Sequence, residues 1–491
     1  MVQEPVKTSL SSVWVDSLLR PLAETDAALS AQYPIKPSRR QPVHVVYGGA
    51  HLFSFDIARK VGALASRALD EHAPDFVALA RALELPHAAT LPEAPEARRA
   101  LEARLEANPL EVKASEPSAW LAHAVYSRVK AKLAREPVED YRLDFEDGYG
   151  VRPQAEEDAD AARAATELAR GLAEHTLPPF VGLRIKSLSS ASKARAIRTL
   201  DIFLTALAER TNGRLPSGFV VTVPKVESVE QVRAAVSAFE ALERALGLPA
   251  ESLKLELMVE LTQTLVGPDG RLMLPALQHA AKGRLTGAHF GTYDYTASCD
   301  VTAVDQRMTH PACDFARNLM QVAFARTGVF LSDGATNVMP IGPHRAAAGQ
   351  ALTPAQRQGN HDVVVAAWRL SHRNIRDSLE RGFFQGWDLH PAQVPVRYAA
   401  TYAYFLEAFD GMARRLRNFV DQAAKATLVG AVFDDAATGQ GLLNFFSKAI
   451  TCGAVTEEEV ASSTGLTLEE LRSRSFPLIL ERRKGAPSST G

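Results

Sequence analysis

The chain has 491 residues, with 55 Lys and Arg against 57 Asp and Glu and a formal charge of −2, so it lacks the electrostatic footprint of a nucleic-acid binder or a polybasic membrane protein. Three cysteines, Cys299, Cys313 and Cys452, are too few and too widely spread for a disulfide framework or a cysteine-based zinc site, and they read as buried free thiols. No segment approaches the roughly 18 uninterrupted apolar residues of a membrane span, and the opening MVQEPVKTSLSSVWVDSLLRPL has no basic region followed by an apolar one. The expectation is a cytoplasmic protein, with no membrane and no nucleic acid among its partners, that acts on small molecules.

In chain order, residues 1–40 read as an N-terminal extension. Short β-rich runs then recur between segments of helical period: PVHVVYGGAHLF, YRLDFEDGYG, FVGLRIKS, GFVVTVPKVES, LKLELMVELTQ, RLTGAHFGTYDY, GVFLSDG and GFFQGWDLHP. Strands alternating with amphipathic helices such as SVEQVRAAVSAFEALERALG indicate an α/β fold, a parallel (β/α)8 TIM barrel over residues 41–395. An Ala/Glu/Pro-rich stretch at about 85–120, between the first two strands, reads as inserted helix and exposed loop. Strand signals cease after Val396, so a C-terminal helical domain is expected over 396–484 and a disordered tail over 485–491. Thr456-x-x-Glu459 and Thr467-x-x-Glu470 have capping-box spacing and predict two short helices; their surroundings are not basic, which argues against a DNA-binding pair.

In a β/α barrel, polar residues at the C-terminal strand ends sit at the mouth, where chemistry occurs. Successive strand ends here carry Asp144, Glu146 and Asp147, then Arg184 and Lys186, then Lys225 and Glu227, then Glu260, then Asp294. Each has an ordinary structural alternative: a helix cap for Glu260 or Asp294, a rim salt bridge for Arg184, a snorkelling surface lysine for Lys225. Gathered on one face, however, such carboxylates repel one another unless a cation or protons neutralise them. Oxygen donors without His or Cys at metal-ligand spacing suit Mg²⁺ or Mn²⁺, with Glu260 and Asp294 as candidate ligands.

DFEDGYG, LRIKS, VPKVES, MVELTQT, FGTYDYTAS and GWDLHPAQV, in this order and spacing, resemble the barrel motifs of the superfamily of citrate lyase β-subunits, HpcH/HpaI-type 2-oxoacid aldolases, malyl-CoA lyases and malate synthases; the likeness runs from about Val43 to Val394. The resemblance implies that Glu260 and Asp294 hold Mg²⁺ and that Arg184 faces a carbonyl or enolate oxygen. It also implies that Glu146 and Asp147 surround the metal's waters, and that Gly291, Thr292, Lys225 and His390 contact substrate, the first two by letting backbone N–H groups approach a substrate carboxylate. VFDDAATGQG in the C-terminal part is similar to the malate synthase segment in which the second acid is the catalytic base, here Asp435; an N-cap is the alternative. The sequence departs from malate synthases in having Thr292-Tyr293 where they usually have Arg-Trp, and in the insertion.

The resemblance thus implies a homo-oligomeric lyase or acyltransferase whose leading activity is a malate synthase-like Claisen condensation of an acyl-CoA, such as acetyl-CoA, with glyoxylate or a relative. The C-terminal domain would bring Asp435 over the mouth of its own or a neighbouring barrel. A coenzyme A-independent class II 2-oxoacid aldolase and a non-catalytic metabolite-binding barrel are the alternatives. Only His344 and Arg345, in IGPHRAAAGQ, hint at a coenzyme A phosphate site.

Overall fold

A computed structural model describes residues 8–33, 40–346, 349–423 and 436–485. Eight strands form a closed barrel in sequence order: β1 (His44–Gly49), β2 (Asp140–Asp144), β3 (Phe180–Arg184), β4 (Val220–Val223), β5 (Lys254–Val259), β6 (Leu285–Phe290), β7 (Phe330–Ala335) and β8 (Gln385–Asp388). Every pair is parallel, and β8 closes on β1 with Val45 opposite Trp387. The two-residue alternation decides which side chains enter the barrel. On β2, Tyr141 and Leu143 turn toward the helical shell while Asp140, Arg142 and Asp144 share the other face; on β3, Val181 and Leu183 are fully buried and Gly182 and Arg184 alternate with them. The register sets Asp144 beside Arg184 and Met258 beside His289.

The insertion between β1 and β2 is more regular than the sequence suggested. It holds the helices Phe76–Ala82, Pro95–Ala107, Pro109–Ser115 and Pro117–Arg135. The last three begin with proline, whose missing N–H is one a helix start leaves unpaired in any case. Leu101, Leu105, Val112, Val125 and Val129 turn inward, and Pro117–Arg135 packs against both the crossover helix Ile57–His72 and the helix Val394–Ala423.

The anticipated boundary at residue 396 falls two residues inside that 30-residue helix, Val394–Ala423, which starts at the mouth side just after β8. At 1.5 Å per residue it is about 45 Å long, well beyond the height of the barrel wall. It descends along the wall and continues past the N-terminal ends of the strands. The helix Ala436–Thr451 returns antiparallel to it: Phe405 meets Phe445, Phe409 meets Phe446, and Gly439 lies against Phe419. The C-terminal helices therefore sit at the end of the barrel opposite the mouth, and one hydrophobic cluster running from Val43 to Ile479 joins them to it. Both anticipated capping boxes are formed, opening the helices Glu457–Thr464 and Leu468–Ser473. Cys313 and Cys452 are buried free thiols, and Cys299 is a half-buried one. No helix among the described residues is long and apolar enough to cross a membrane.

Candidate active site

Arg184, the last residue of β3, is 4% exposed and is held in place by Asp144 from the neighbouring strand. Its Nε donates to Asp144 Oδ1 at 2.7 Å and its Nη2 to Oδ2 at 2.5 Å, a fork-on-fork pair that fixes the guanidinium plane. Asp144 also accepts from the N–H groups of Glu146 and Gly148, so the same carboxylate orders the loop after β2. The Tyr47 ring lies against the guanidinium at 4.8 Å, and Trp387 stacks on Tyr47 with ring centres 4.6 Å apart. The sequence placed Asp144 among the strand-end acids without giving it a role, and it did not single out the two rings. Their inward position by period two on β2, β1 and β8 was the available signal.

The remaining edge of Arg184, Nη1, reaches Glu146 Oε2 at 3.2 Å and Asp147 Oδ2 at 3.7 Å. Lys225 approaches the same acids from the end of β4, its Nζ 2.5 Å from Glu146 Oε1, 3.3 Å from Asp147 Oδ1 and 3.7 Å from Asp294 Oδ2. The Lys225 backbone is left-handed, φ +49°, and in this conformation its N–H donates to Glu260 Oε1 at 2.7 Å. Glu260 is 1% exposed. Burial, together with the Asp294 and Glu146 carboxylates and against the pull of Lys225, pushes its carboxyl pKa up to about 8. Glu146 is raised as well, by burial and by Asp147.

Gly291 follows β6, and its N–H donates to the Val259 carbonyl at 3.0 Å. A Cβ there would lie 2.5 Å from Glu260 Cβ and 2.8 Å from Glu260 Oε2, so the glycine makes room for the buried glutamate. Thr292 opens the helix Thr292–Ser298, whose first turn carries Asp294; its hydroxyl is buried without a partner. Tyr293 OH donates to the Ala335 carbonyl, tying this turn to β7. His390 caps the short turn Pro391–Gln393, its Nδ1 accepting from Ala392 N–H at 3.1 Å. The mouth thus brings together Arg184, Glu146, Asp147, Lys225, Glu260, Gly291, Thr292 and Asp294. Asp435 lies outside the described residues. The helix that follows it starts beside Phe419, about 38 Å along the helix axis from Val394 at the mouth.

The donors fit a hard divalent ion. Asp144, Glu146, Asp147, Glu260 and Asp294 face only Arg184 and Lys225 as bases, and burial, with the neighbouring Asp294 and Glu146 carboxylates, raises the Glu260 pKa despite those two cations. Among the described residues no group of three or more His, Cys, Asp or Glu side chains is arranged to hold a metal ion, so the candidate ligands are the pair Glu260 and Asp294 alone.

Acids and bases gathered at the C-terminal strand ends occupy the face where β/α barrels carry their active sites. The chain belongs to the DUF6986 family, described as a domain of unknown function, whose model matches residues 22–479. Comparison with curated proteins gives no match. Among solved structures the chain is similar to a citrate lyase from Burkholderia xenovorans LB400, with 20% identity over 70% of this chain and 92% of that one and a TM-score of 0.49. It is similar to Haloferax volcanii malate synthase in a magnesium/glyoxylate complex, with 14% identity over 71% and 89% of the two chains and a TM-score of 0.37. A Mycobacterium tuberculosis CitE protein in complex with magnesium and pyruvate has 17% identity over 67% and 94%, with a TM-score of 0.34.

Proposed function

We propose that this chain is a divalent-metal-dependent enzyme that makes or breaks a carbon–carbon bond beside the carbonyl of a small 2-oxoacid. The observation that carries the reading is Glu260, a buried carboxylate with a raised pKa, within a set of acids that outnumbers its bases and faces a locked arginine. Glu260 and Asp294 would hold Mg²⁺ or Mn²⁺, which when bound supplies Lewis-acid polarisation of a carbonyl. Arg184 would donate from Nη1, the edge not held by Asp144 and now facing Glu146 and Asp147, to the oxygen that becomes negative as an enolate forms. Because Asp144 and Tyr47 already fix its plane, it needs no reorganisation when the charge develops. Lys225, bound to Glu146 and Asp147, orients those acids at the rim, where they can order water. The N–H of Thr292, first in its helix, is the donor we assign to the substrate carboxylate.

The direction of the C-terminal helices favours the coenzyme A-independent aldolase over the malate synthase-like reaction. A Claisen condensation needs Asp435 at the carbon next to the thioester, and the helix following Asp435 begins at the opposite end of its own barrel. Claisen chemistry would then require Asp435 from a neighbouring copy.

The test is turnover of a panel of 2-oxoacids with aldehydes, beside glyoxylate with acetyl-CoA, in Mg²⁺ and in excess EDTA. We expect metal-dependent aldol cleavage or addition that Asp435→Asn leaves unchanged. Full activity in EDTA would refute the metal reading. Condensation with acetyl-CoA that Asp435→Asn lowers by roughly 10²–10⁴ would restore the Claisen enzyme.

A further inference from the structure

A cavity of about 540 Å³ opens at the far end of the barrel from the mouth, between the start of β8 and the C-terminal helices. Its volume lies within the range of small-molecule sites, roughly 300–1,000 Å³. Phe384, Tyr404, Phe405 and Phe445 supply aromatic walls: Phe384 and Phe405 stack with ring planes 18° apart, and Phe445 meets Phe405 edge-on at 5.3 Å. Two cations, Lys448 and Arg474, complete the lining, and no carboxylate belongs to it.

The two cations are what an ordinary packing defect would lack. Lys448 Nζ makes one hydrogen bond, to the neutral Gln41 Oε1 at 3.1 Å, and lies 4.8 Å from the centre of the Phe384 ring. Among the described residues neither Lys448 nor Arg474 has an ion pair, although Arg472 and Arg483, on the C-terminal helices either side of Arg474, each have one. Burial lowers the pKa of both, and Arg474 lowers that of Lys448 further by like-charge repulsion. Glu457 acts on Arg474 only at a distance, and two neighbouring, partly desolvated cations without an ion pair of their own cost stability unless an anion arrives. A phosphate monoester, with about −1.5 to −2 charges and three acceptor oxygens, matches the pair, and a flat heteroaromatic body matches the rings beside it.

We propose that this cavity binds a nucleoside monophosphate, its phosphate between Lys448 and Arg474 and its base among Phe384, Tyr404 and Phe445. The site is separate from the barrel mouth and does not depend on the reaction assigned there. Gln41 links it to the barrel: its Oε1 accepts from Lys448, while its Nε2 donates to the Leu331 carbonyl of β7 at 3.0 Å.

The experiment is calorimetric titration of the full chain with AMP, adenosine and inorganic phosphate, on the unaltered protein and on Lys448→Gln, Arg474→Gln, Arg474→Lys and Glu260→Gln. AMP is expected to bind saturably and more weakly as salt is raised, with adenosine and phosphate each weaker by about tenfold or more. Lys448→Gln and Arg474→Gln should each weaken AMP by about tenfold or more, while Arg474→Lys should keep most of the affinity. Glu260→Gln, at the mouth, should leave it unchanged. Melting curves accompany each variant, and Arg474, at a half-exposed helix end, provides the readout if Lys448→Gln fails to fold. No saturable binding of AMP, binding indifferent to the cation substitutions, or adenosine or phosphate matching AMP would overturn the proposal.

Discussion

Glu256 and Glu260 stand four residues apart on and just beyond β5, both buried inside the barrel, and their surroundings treat them in opposite ways. Glu256 accepts from Arg142 Nη2 at 2.7 Å, from Thr222 Oγ1 at 3.2 Å and lies 3.0 Å from His289 Nε2. Burial would raise its pKa, but Arg142 and His289 hold it well below the usual carboxylate range. Arg142 also binds Asp140, whose own pKa burial and Glu256 nevertheless raise to about 6, so the shared arginine holds Glu256 ionised more fully than Asp140. Glu260 accepts from one backbone N–H, and burial, with Asp294 and Glu146 beside it, raises its pKa to about 8 although Lys225 and Arg184 oppose the shift. A buried charge with its partners present is part of the scaffold; one left in excess marks the place where a further cation, or a proton, is to be bound.

The comparison breaks most visibly at its satisfied half. Arg142→Leu strands Asp140 and Glu256 in the barrel interior and should cost about 3–5 kcal/mol, read as a shift in the urea midpoint at unchanged slope. At the unsatisfied half, Arg184→Lys keeps the charge but loses the fork that Asp144 holds. It should lower kcat by a factor corresponding to about 2.7–4 kcal/mol while the melting temperature changes little, measured by steady-state kinetics on whichever 2-oxoacid proves active.

Gly291→Ala sharpens the contrast by pushing a methyl group into Glu260. The expected destabilisation is about 1–3 kcal/mol, together with weaker Mn²⁺ binding by calorimetry, whereas a loss confined to stability would show that Glu260 is not a ligand.

The remaining effect is in pH. Because the folded pKa of Glu260 lies above its unfolded value, the folded protein holds a proton that the unfolded chain releases. This contribution is complete below about pH 4.5 and is lost as pH rises toward about 8. Metal-free protein should therefore lose stability across that window relative to Glu260→Gln, and saturating Mg²⁺ should remove the difference. Urea titrations at several pH values, with and without EDTA, measure it.

Much of the site was legible because strands alternate strictly and barrels carry chemistry at one end. The runs ending in Asp144, Arg184, Lys225, Glu260 and Asp294 had to deliver those side chains to a common mouth once the barrel closed. The partners were not legible, because each comes from a different strand. That Asp144 locks Arg184, and that Lys225 turns through a left-handed backbone to reach both Glu260 and Glu146, depends on register and closure. His390 could be read as a substrate contact, and only the folded turn shows its ring nitrogen accepting from Ala392.

The C-terminal region divides in the same way. Local chemistry wrote the capping boxes at Thr456 and Thr467, since a side chain and an N–H three residues apart need nothing from the rest of the chain. Where those helices sit was decided by tertiary structure alone. Tyr398, Ala399, Tyr402, Phe405 and Leu416 bury one continuous helix against the barrel and its helical shell. Its 30-residue length carries the chain past the barrel wall and leaves the later helices at the end away from the mouth.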